Sequence, residues 1–141
     1  MTGALVAGYS KTPLYKKLGL KPGMKVVCLN PVENYHSLLG PEAPELLWSD
    51  QLSDSCDFVH LFTKSRAELD DSLPKCQASI KSNGMIWVSW PKKSSKVETD
   101  IIEDTIRSTC LPSGLVDVKV CAVDDIWSGL KLVIRKELRQ D

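Results

Sequence analysis

The sequence predicts a three-layer α/β fold, doubly wound around a mostly parallel sheet that closes with a C-terminal antiparallel hairpin. Three observations predict this fold. Runs that are apolar on both faces, which are typical of strands buried in a parallel sheet, alternate with helical segments. Capping signals precede the helices, at Asn30, Ser65 and Ser95. Two late segments alternate apolar and polar residues across a short connection, which indicates a hairpin.

The first predicted elements are a short helix and a strand. Thr12 and Pro13 form a helix start signal, with a capping residue followed by proline at the first helical position, and Gly19 ends the helix. Residues 21–23 have the order of a type II turn. The run 25–29 is apolar on both faces and predicts the first strand.

A second helix is predicted directly after this strand. Asn30 has the position of an N-cap, Pro31 the first helical position, and Glu33 the third, from which a glutamate can reach back to the cap. The helix is expected to run to Leu39 and to end at Gly40.

The middle of the chain contains two predicted strands and a longer helix. Residues 45–49 predict a short strand, and the aromatic and aliphatic density of residues 57–63 predicts a buried one. A capping-box signal at Ser65 begins a helix towards Lys81. Pro74 falls inside that helix and predicts a kink or a division into two helices.

The last third supplies a strand, a helix and the hairpin. Asn83-Gly84 predicts a turn into the strand 85–90. A capping box at Ser95 predicts a helix that is stopped by proline and glycine at 112–114. Alternation over 116–136 predicts the closing hairpin.

Size and composition indicate one folded domain. The 141 residues lie within the usual range of a single domain, and 26% charged with 43% hydrophobic residues is ordinary globular composition. We expect one domain over 1–141, with an N-terminal helix and turn at 1–24 and the hairpin at 116–136. No run approaches the roughly 18 apolar residues of a membrane span, and the first residues lack a signal-peptide pattern. A cytoplasmic protein without a membrane partner is therefore expected.

Cysteines, histidines and charge limit the classes of partner. The five cysteines are widely separated and never form a CxxC pair, and the two histidines have no acidic cluster beside them, so neither a disulfide framework nor a metal site is predicted. Lysine plus arginine equals aspartate plus glutamate at 18 each, which disfavours nucleic acid. Residues 1–25 carry five lysines and no acid, whereas residues 26–63 carry six acids and no lysine or arginine. The basic segment lies beside the acidic one, or both are solvated faces.

From Lys81 onward the sequence resembles the later half of class I, S-adenosylmethionine-dependent methyltransferases, in which a lysine or proline, a glycine and an apolar strand precede a helix and a closing antiparallel hairpin. Most of the chain is still more similar to a bacterial family described as a domain of unknown function, with a methyltransferase-like, Rossmann-like fold. This resemblance implies a reduced class I methyltransferase fold and no established activity. The matching stretches are 8–10, 12–14, 17–19, 59–62, 87–93, 118–124 and 127–131.

The residues after the first strand depart from the methyltransferase pattern. Methyltransferases have a glycine-rich cofactor loop there, and an acidic residue at the end of the next strand binds ribose hydroxyls. Here Asn30, Pro31 and Glu33 follow the strand, with no glycine before Gly40. Asp50 has the position of the ribose-binding acid. We therefore expect no cofactor, with S-adenosylmethionine as the alternative.

Candidate ligand-binding residues lie where predicted strands end, because open parallel sheets bind ligands beyond the carboxyl ends of their strands. After the strand 85–90, an indole beside two lysines suits an anionic or aromatic small ligand. The alternative is an indole packed under the next helix beside solvated lysines. The candidate residues are Asn30, Asp50, Ser65, Trp90, Pro91, Lys92 and Lys93.

Two further residues have a structural and a functional interpretation. His60 lies in an apolar strand, which favours a core histidine with one satisfied hydrogen bond over a general base. Trp127 in the hairpin connection is a candidate interface anchor, but Asp124 and Asp125 beside it favour simple turn chemistry.

Three functions are consistent with these observations, and no catalytic residue is assigned. The favoured one is a non-catalytic methyltransferase-like domain that binds a small anionic ligand or a protein partner through residues 90–93. The second is an S-adenosylmethionine-dependent methyltransferase with an atypical cofactor loop. The third is a structural or scaffold homodimer that pairs through the hairpin edge or the Trp127 loop.

Overall fold

Six strands form a single sheet in the computed structural model, which describes residues 12–139. The stretch 8–10 of the resemblance, and the beginning of the expected segment 1–24, lie outside these residues. The strands are β1 (Lys25–Leu29), β2 (Leu47–Ser49), β3 (Cys56–Phe62), β4 (Ile80–Pro91), β5 (Leu115–Ala122) and β6 (Trp127–Ile134). The helices are α1 (Leu14–Leu18), α2 (Tyr35–Leu39), α3 (Arg66–Ser79) and α4 (Glu103–Cys110), with short 3₁₀ turns at Lys93–Ser95, Leu111–Ser113 and Lys136–Leu138.

The strand order across the sheet is β2-β1-β3-β4-β6-β5. The first four strands in this order run parallel, whereas β6 is antiparallel to both β4 and β5. After β1 the chain passes to β2 on one side and then returns to β3 on the other. The predicted doubly wound, mostly parallel sheet with a closing hairpin is confirmed.

Helices cover both faces of the sheet, and each face has its own apolar core. On one face, α1 and α2 pack over Val26, Phe58 and Trp87. The indole Nε1 of Trp87 donates to the carbonyl of Leu18 at 3.0 Å, which ties α1 to the sheet. On the opposite face, α3 and α4 pack over apolar residues that include Val59 and Leu130. Burial on both faces explains why the central strands are apolar throughout.

The second helix begins later than predicted. It starts at Tyr35, and Asn30 is not its cap. Asn30 has φ 55°, a left-handed conformation that asparagine tolerates. Its side-chain amide donates to the carbonyl of Phe62 at 3.2 Å and to Glu68 at 3.1 Å. The cap signal at Asn30 was wrong because this side chain is bonded to the neighbouring strand and helix instead.

Asn83-Gly84 does not form the predicted turn, because β4 runs through it. Pairing with β3 shifts from Cys56 opposite Ile80 to Phe58 opposite Met85, so the residues between Ile80 and Met85 bulge out of register. A Cβ at Gly84 would lie 3.0 Å from the carbonyl oxygen of Cys56 and 3.0 Å from the Ile80 Cβ. Glycine is required here by a close approach within the sheet.

The third helix is continuous. It ends at Ser79 rather than near Lys81, and Pro74 does not divide it. A proline removes one hydrogen bond to the carbonyl four residues earlier, which here belongs to Asp70. Because Asp70 and Pro74 are both exposed, water can satisfy that carbonyl.

The fourth helix begins at Glu103 and not at Ser95. The Ser95 hydroxyl donates to the carbonyl of Lys92 and accepts from the amide of Val97, which makes a local turn instead of a helix cap. The helix start is marked by Thr105, whose hydroxyl accepts from the Ile102 amide at 3.2 Å. Within residues 12–139, no helix has the length and apolarity needed to cross a membrane.

Candidate ligand-binding pocket

A pocket of about 620 Å³ lies at the carboxyl ends of β1 and β2, beside α2. Its volume is in the range of small-molecule sites. The two parallel strands end side by side, and the segment that leads from β1 into α2 forms the third wall. The lining residues are Cys28, Pro31, Val32, Glu33, Tyr35, His36, Trp48, Ser49 and Asp50.

Three aromatic rings line the pocket and contact one another. Trp48 lies on the edge strand β2, and 40% of it is exposed. The His36 ring lies 4.4 Å from the Trp48 ring, centroid to centroid, and the Tyr35 ring meets Trp48 edge-on at 6.2 Å. The Trp48 indole is thus in contact with the His36 and Tyr35 rings and partly exposed in the pocket. An aromatic or cationic group of a ligand can stack on it.

Two carboxylates also line the pocket. Glu33 and Asp50 both line it, and both are exposed. No lysine or arginine is among the lining residues. The pocket therefore favours hydroxyl groups or a positive charge on a ligand and disfavours an anion.

Beneath the pocket, three side chains form a buried chain of hydrogen bonds. The Tyr35 hydroxyl lies 2.8 Å from His60 Nδ1, and His60 Nε2 lies 2.7 Å from the Ser89 hydroxyl. His60 is a core histidine as predicted, with two hydrogen bonds rather than one. Burial lowers its pKa to about 3, so the imidazole is neutral at physiological pH.

The other groups near the floor are also uncharged at neutral pH. Burial raises the pKa of the Cys28 thiol to about 12, and it raises the pKa of the Tyr35 hydroxyl further above its usual range. A thiol needs its thiolate form to act as a nucleophile. The floor of the pocket thus holds no ionised nucleophile or base.

Asn30 bridges β1 and β3. This is the point at which the strand order reverses, where open α/β sheets bind their ligands. The Asn30 amide spans it, through its hydrogen bonds to Phe62 at the end of β3 and to Glu68 on α3. Asn30 is therefore adjacent to the pocket but serves as a bridge between elements.

Ser65 is placed at the start of α3 and not at the pocket. Its hydroxyl accepts from the Glu68 amide at 3.3 Å, as the capping signal predicted. The next amide, of Arg66, donates to the Asp100 carboxylate at 2.7 Å. The anion position at this helix start is thus occupied by an aspartate of the chain itself.

Residues 90–93 lie at the end of β4, away from the pocket. The Trp90 indole is 6% exposed and packs in the core on the α3 and α4 face, and Pro91 is buried. The Lys92 amide donates to the carbonyl of Ile126 at 2.8 Å. Of this group, Lys92 is half-buried and Lys93 is exposed, so the two lysines reach the surface without a stacking indole between them.

Trp127 is anchored within its own chain. It is half-buried, and its ring meets Phe62 edge-on at 5.2 Å. Its amide and that of Ile126 donate to the Asp124 carboxylate, which is the turn chemistry expected of this connection.

The profile of the family described as "Protein of unknown function (DUF3052)" matches residues 16–136. The chain belongs to this family. A search of the curated proteins found no match. The resemblance to a family of unknown function is thereby confirmed, and membership in DUF3052 brings no activity with it.

Several solved structures with a similar fold are methyltransferases. A putative type 11 methyltransferase from Sulfolobus solfataricus has 12% identity and a TM-score of 0.64, covering 91% of this chain and 93% of that one. A SAM-dependent methyltransferase from Aquifex aeolicus has 15% identity and a TM-score of 0.56, covering 86% and 87%. Magnesium protoporphyrin IX methyltransferase from Synechocystis PCC 6803, with bound SAH, has 10% identity and a TM-score of 0.57, covering 82% and 75%. At these identities the likeness shows the methyltransferase-like fold alone.

Of the seven candidate residues in this DUF3052 chain, Asp50 lines the pocket and Asn30 borders it. Trp48, His36 and Glu33 line the pocket but were not predicted to bind a ligand. The feature of the sequence that could have indicated Trp48 is the presence of a tryptophan in a short edge strand. His36 and Trp48 are brought together only by the packing of α2 against β2.

Proposed function

We propose that the chain is a non-catalytic, small-molecule-binding domain with a methyltransferase-like fold. Its ligand occupies the pocket between β1, α2 and β2 and has an aromatic ring that stacks on Trp48 and hydroxyls that bond to Asp50. The observation that carries this proposal is that one pocket contains both the partly exposed indole of Trp48 and the carboxylates of Glu33 and Asp50, which come from two different loops. A nucleoside has this combination of ring and hydroxyls.

Two features support a binding role over a transfer reaction. The Asn30 side chain bridges β1 and β3 at the reversal point of the sheet, through its hydrogen bond to the Phe62 carbonyl, where the methyltransferase pattern has a glycine-rich loop. The buried groups under the pocket are neutral at physiological pH, and His60 is engaged on both nitrogens. These buried groups are therefore poor general acids or bases, which need to titrate near the working pH.

The second candidate is an S-adenosylmethionine-dependent methyltransferase with an atypical cofactor loop. It is favoured by one specific observation, which is that Asp50 follows β2 and lines the pocket. An acid at the end of the second strand holds ribose hydroxyls in dinucleotide-binding sheets. The fold of the similar structures supports this candidate at the level of architecture.

Calorimetric titration with adenosine, S-adenosylhomocysteine and S-adenosylmethionine separates the two candidates. For the binding domain, we expect adenosine to bind the wild type and to bind Asp50→Asn about tenfold more weakly, because a charge-assisted hydrogen bond is lost. Asp71→Asn is the matched control, since Asp71 lies on α3 and pairs with Lys75.

The relative affinities decide between the two candidate functions. If S-adenosylmethionine binds in the micromolar range and far more tightly than adenosine, the methyltransferase function is favoured and the non-catalytic binding function is wrong. If none of the three compounds binds, or if Asp50→Asn binds as the control does, the pocket proposal is wrong.

A further inference from the structure

A cluster of lysines lies on the α1 face of the hairpin, at the opposite end of the sheet from the pocket. Lys119 on β5 is paired directly with Lys131 on β6, and Lys131 is paired with Trp87 on β4. Side chains of directly opposed residues project on the same face of a sheet. Because Trp87 lies in the core under α1, Lys119 and Lys131 also project on that face.

Helix α1 and the turn after it bring two more lysines to the same place. Lys17 on α1 donates through Nζ to the carbonyl of Ala122 at 3.3 Å, at the end of β5. Partial burial, and then the charges of Lys119 and Lys21, hold the pKa of Lys131 below its usual range. We call the set of Lys17, Lys21, Lys119 and Lys131 the lysine groove.

Cys121 on β5 lies near lysines from both α1 and the hairpin. Burial raises the pKa of Cys121, and the charges of Lys17 and Lys119 oppose that rise. One sulfur is therefore within the electrostatic reach of a lysine from α1 and a lysine from β5.

The groove is electrostatically costly and lacks a compensating acid. Like charges directly opposite each other destabilise a sheet. Elsewhere, Lys75 pairs with Asp71 and Lys81 pairs with Asp57. Across residues 12–139, no acid forms an ion pair with a lysine of the groove. Residues 1–11 add one more lysine and no acid to the sequence.

We propose that the lysine groove is a binding site for a small multivalent anion of the phosphate class, such as a pyrophosphate group. Ammonium groups act as point charges for phosphate oxygens, and four of them on one face, from α1, the turn after it and the hairpin, suit an anion with several charges. Such an anion would offset the repulsion between Lys119 and Lys131. The anionic ligand that the sequence predicted thus fits this groove rather than residues 90–93.

Two observations favour a small anion over a macromolecule. The register of β5 against β6 shifts between Asp117 and Lys119, and such a bulge together with an edge lysine discourages pairing with another strand. The chain has a formal net charge of zero, which gives no long-range attraction for a nucleic acid. The groove is also separate from the pocket, so the two proposals fail independently.

Calorimetry with pyrophosphate tests the site. We expect pyrophosphate to bind the wild type and to bind the double variant Lys119→Gln, Lys131→Met at least about tenfold more weakly, because two charged contacts are lost. Lys75→Gln is the control for a general loss of positive charge, and it should bind as the wild type does. Binding by the double variant that equals the control, or no binding to the wild type, would overturn the proposal.

A second measurement on the wild type does not depend on any variant. Nuclear magnetic resonance of the Lys131 ammonium should show its pKa rising when pyrophosphate is added, because a bound anion favours the charged form. An unchanged pKa at saturating pyrophosphate contradicts the site. A short single-stranded DNA that binds through these lysines where pyrophosphate does not would also overturn it, in favour of a nucleic-acid surface.

Discussion

The side-chain Nδ2 of Asn30 lies 3.2 Å from the carbonyl oxygen of Phe62 and so joins the chain after β1 to the last residue of β3. These two strands are neighbours at the point where the strand order reverses. Open α/β sheets bind ligands beside such a reversal point. The contact therefore lies next to the pocket at the ends of β1 and β2 and ties the chain after β1 to β3.

Replacement of Asn30 by aspartate should destabilise the protein. Aspartate has the same shape and tolerates the left-handed backbone, but it cannot donate to the Phe62 carbonyl and it places a second carboxylate beside Glu68. We expect a loss of about 1–2 kcal/mol in the free energy of unfolding at pH 7, measured by urea denaturation.

Asn34→Asp is the matched control, because Asn34 is exposed and its side chain makes no capping hydrogen bond. It should change stability by less than about 0.5 kcal/mol. Equal effects of the two variants would show that the Asn30 bridge contributes nothing.

His60 should make stability fall as the pH falls. Its pKa is about 3 in the folded protein and about 6.5 in an unfolded chain, so the unfolded state binds more protons between these values. Stability is thus unaffected by His60 above about pH 6.5 and declines towards pH 3, by up to about 1.4 kcal/mol per pH unit. Urea denaturation between pH 7 and pH 4 measures this slope.

Two variants assign the slope to a residue. His60→Gln should have a flatter pH dependence than the wild type, whereas His36→Gln should keep the full slope, because His36 is exposed. If the free energy of unfolding of His60→Gln depends on pH as steeply as that of the wild type, another group causes the acid sensitivity.

Gly84→Ala should destabilise the junction of β3 and β4. The added Cβ would meet the backbone oxygens of Cys56 and Lys81 at 3.0 and 3.1 Å, and backbone cannot move aside cheaply. We expect a loss of about 1–3 kcal/mol by thermal or urea denaturation. Gly23→Ala, with φ +81° and no atom within 4 Å, carries only the left-handed strain of roughly 1–2 kcal/mol. A loss of less than about 0.5 kcal/mol for Gly84→Ala would contradict the close approach.

The parts of the fold that sequence predicted best are those set by local pattern. Apolar density located β3, alternation located β5 and β6, and glycines in the left-handed conformation end α1 and precede β5 at Gly19 and Gly114. The cap signals at Asn30 and Ser95 failed for a common reason. Their side chains satisfy other backbone groups, and the Asn30 partner is 32 residues away along the chain. Spacing within a few residues cannot reveal such a competitor.

The pocket could be predicted only in part. Asp50 was identified because strand ends are recognisable in sequence, whereas the contact of Trp48 with His36 depends on how a five-residue helix packs on an edge strand. The pairing of Lys119 with Lys131 depends on hairpin register, and the bulge in β5 shifts that register by one residue.

The most direct test of the ligand pocket is a two-dimensional nuclear magnetic resonance titration of the protein with adenosine, which follows backbone amide, indole N–H and side-chain amide protons. The proposal predicts that the indole N–H of Trp48 and the backbone amide of Asp50 shift in a saturable way, while the side-chain amide of Asn30 and the indole of Trp127 stay fixed. A saturable shift of the Asn30 side-chain amide with an unmoved Trp48 would place the ligand between β1 and β3 and contradict the account.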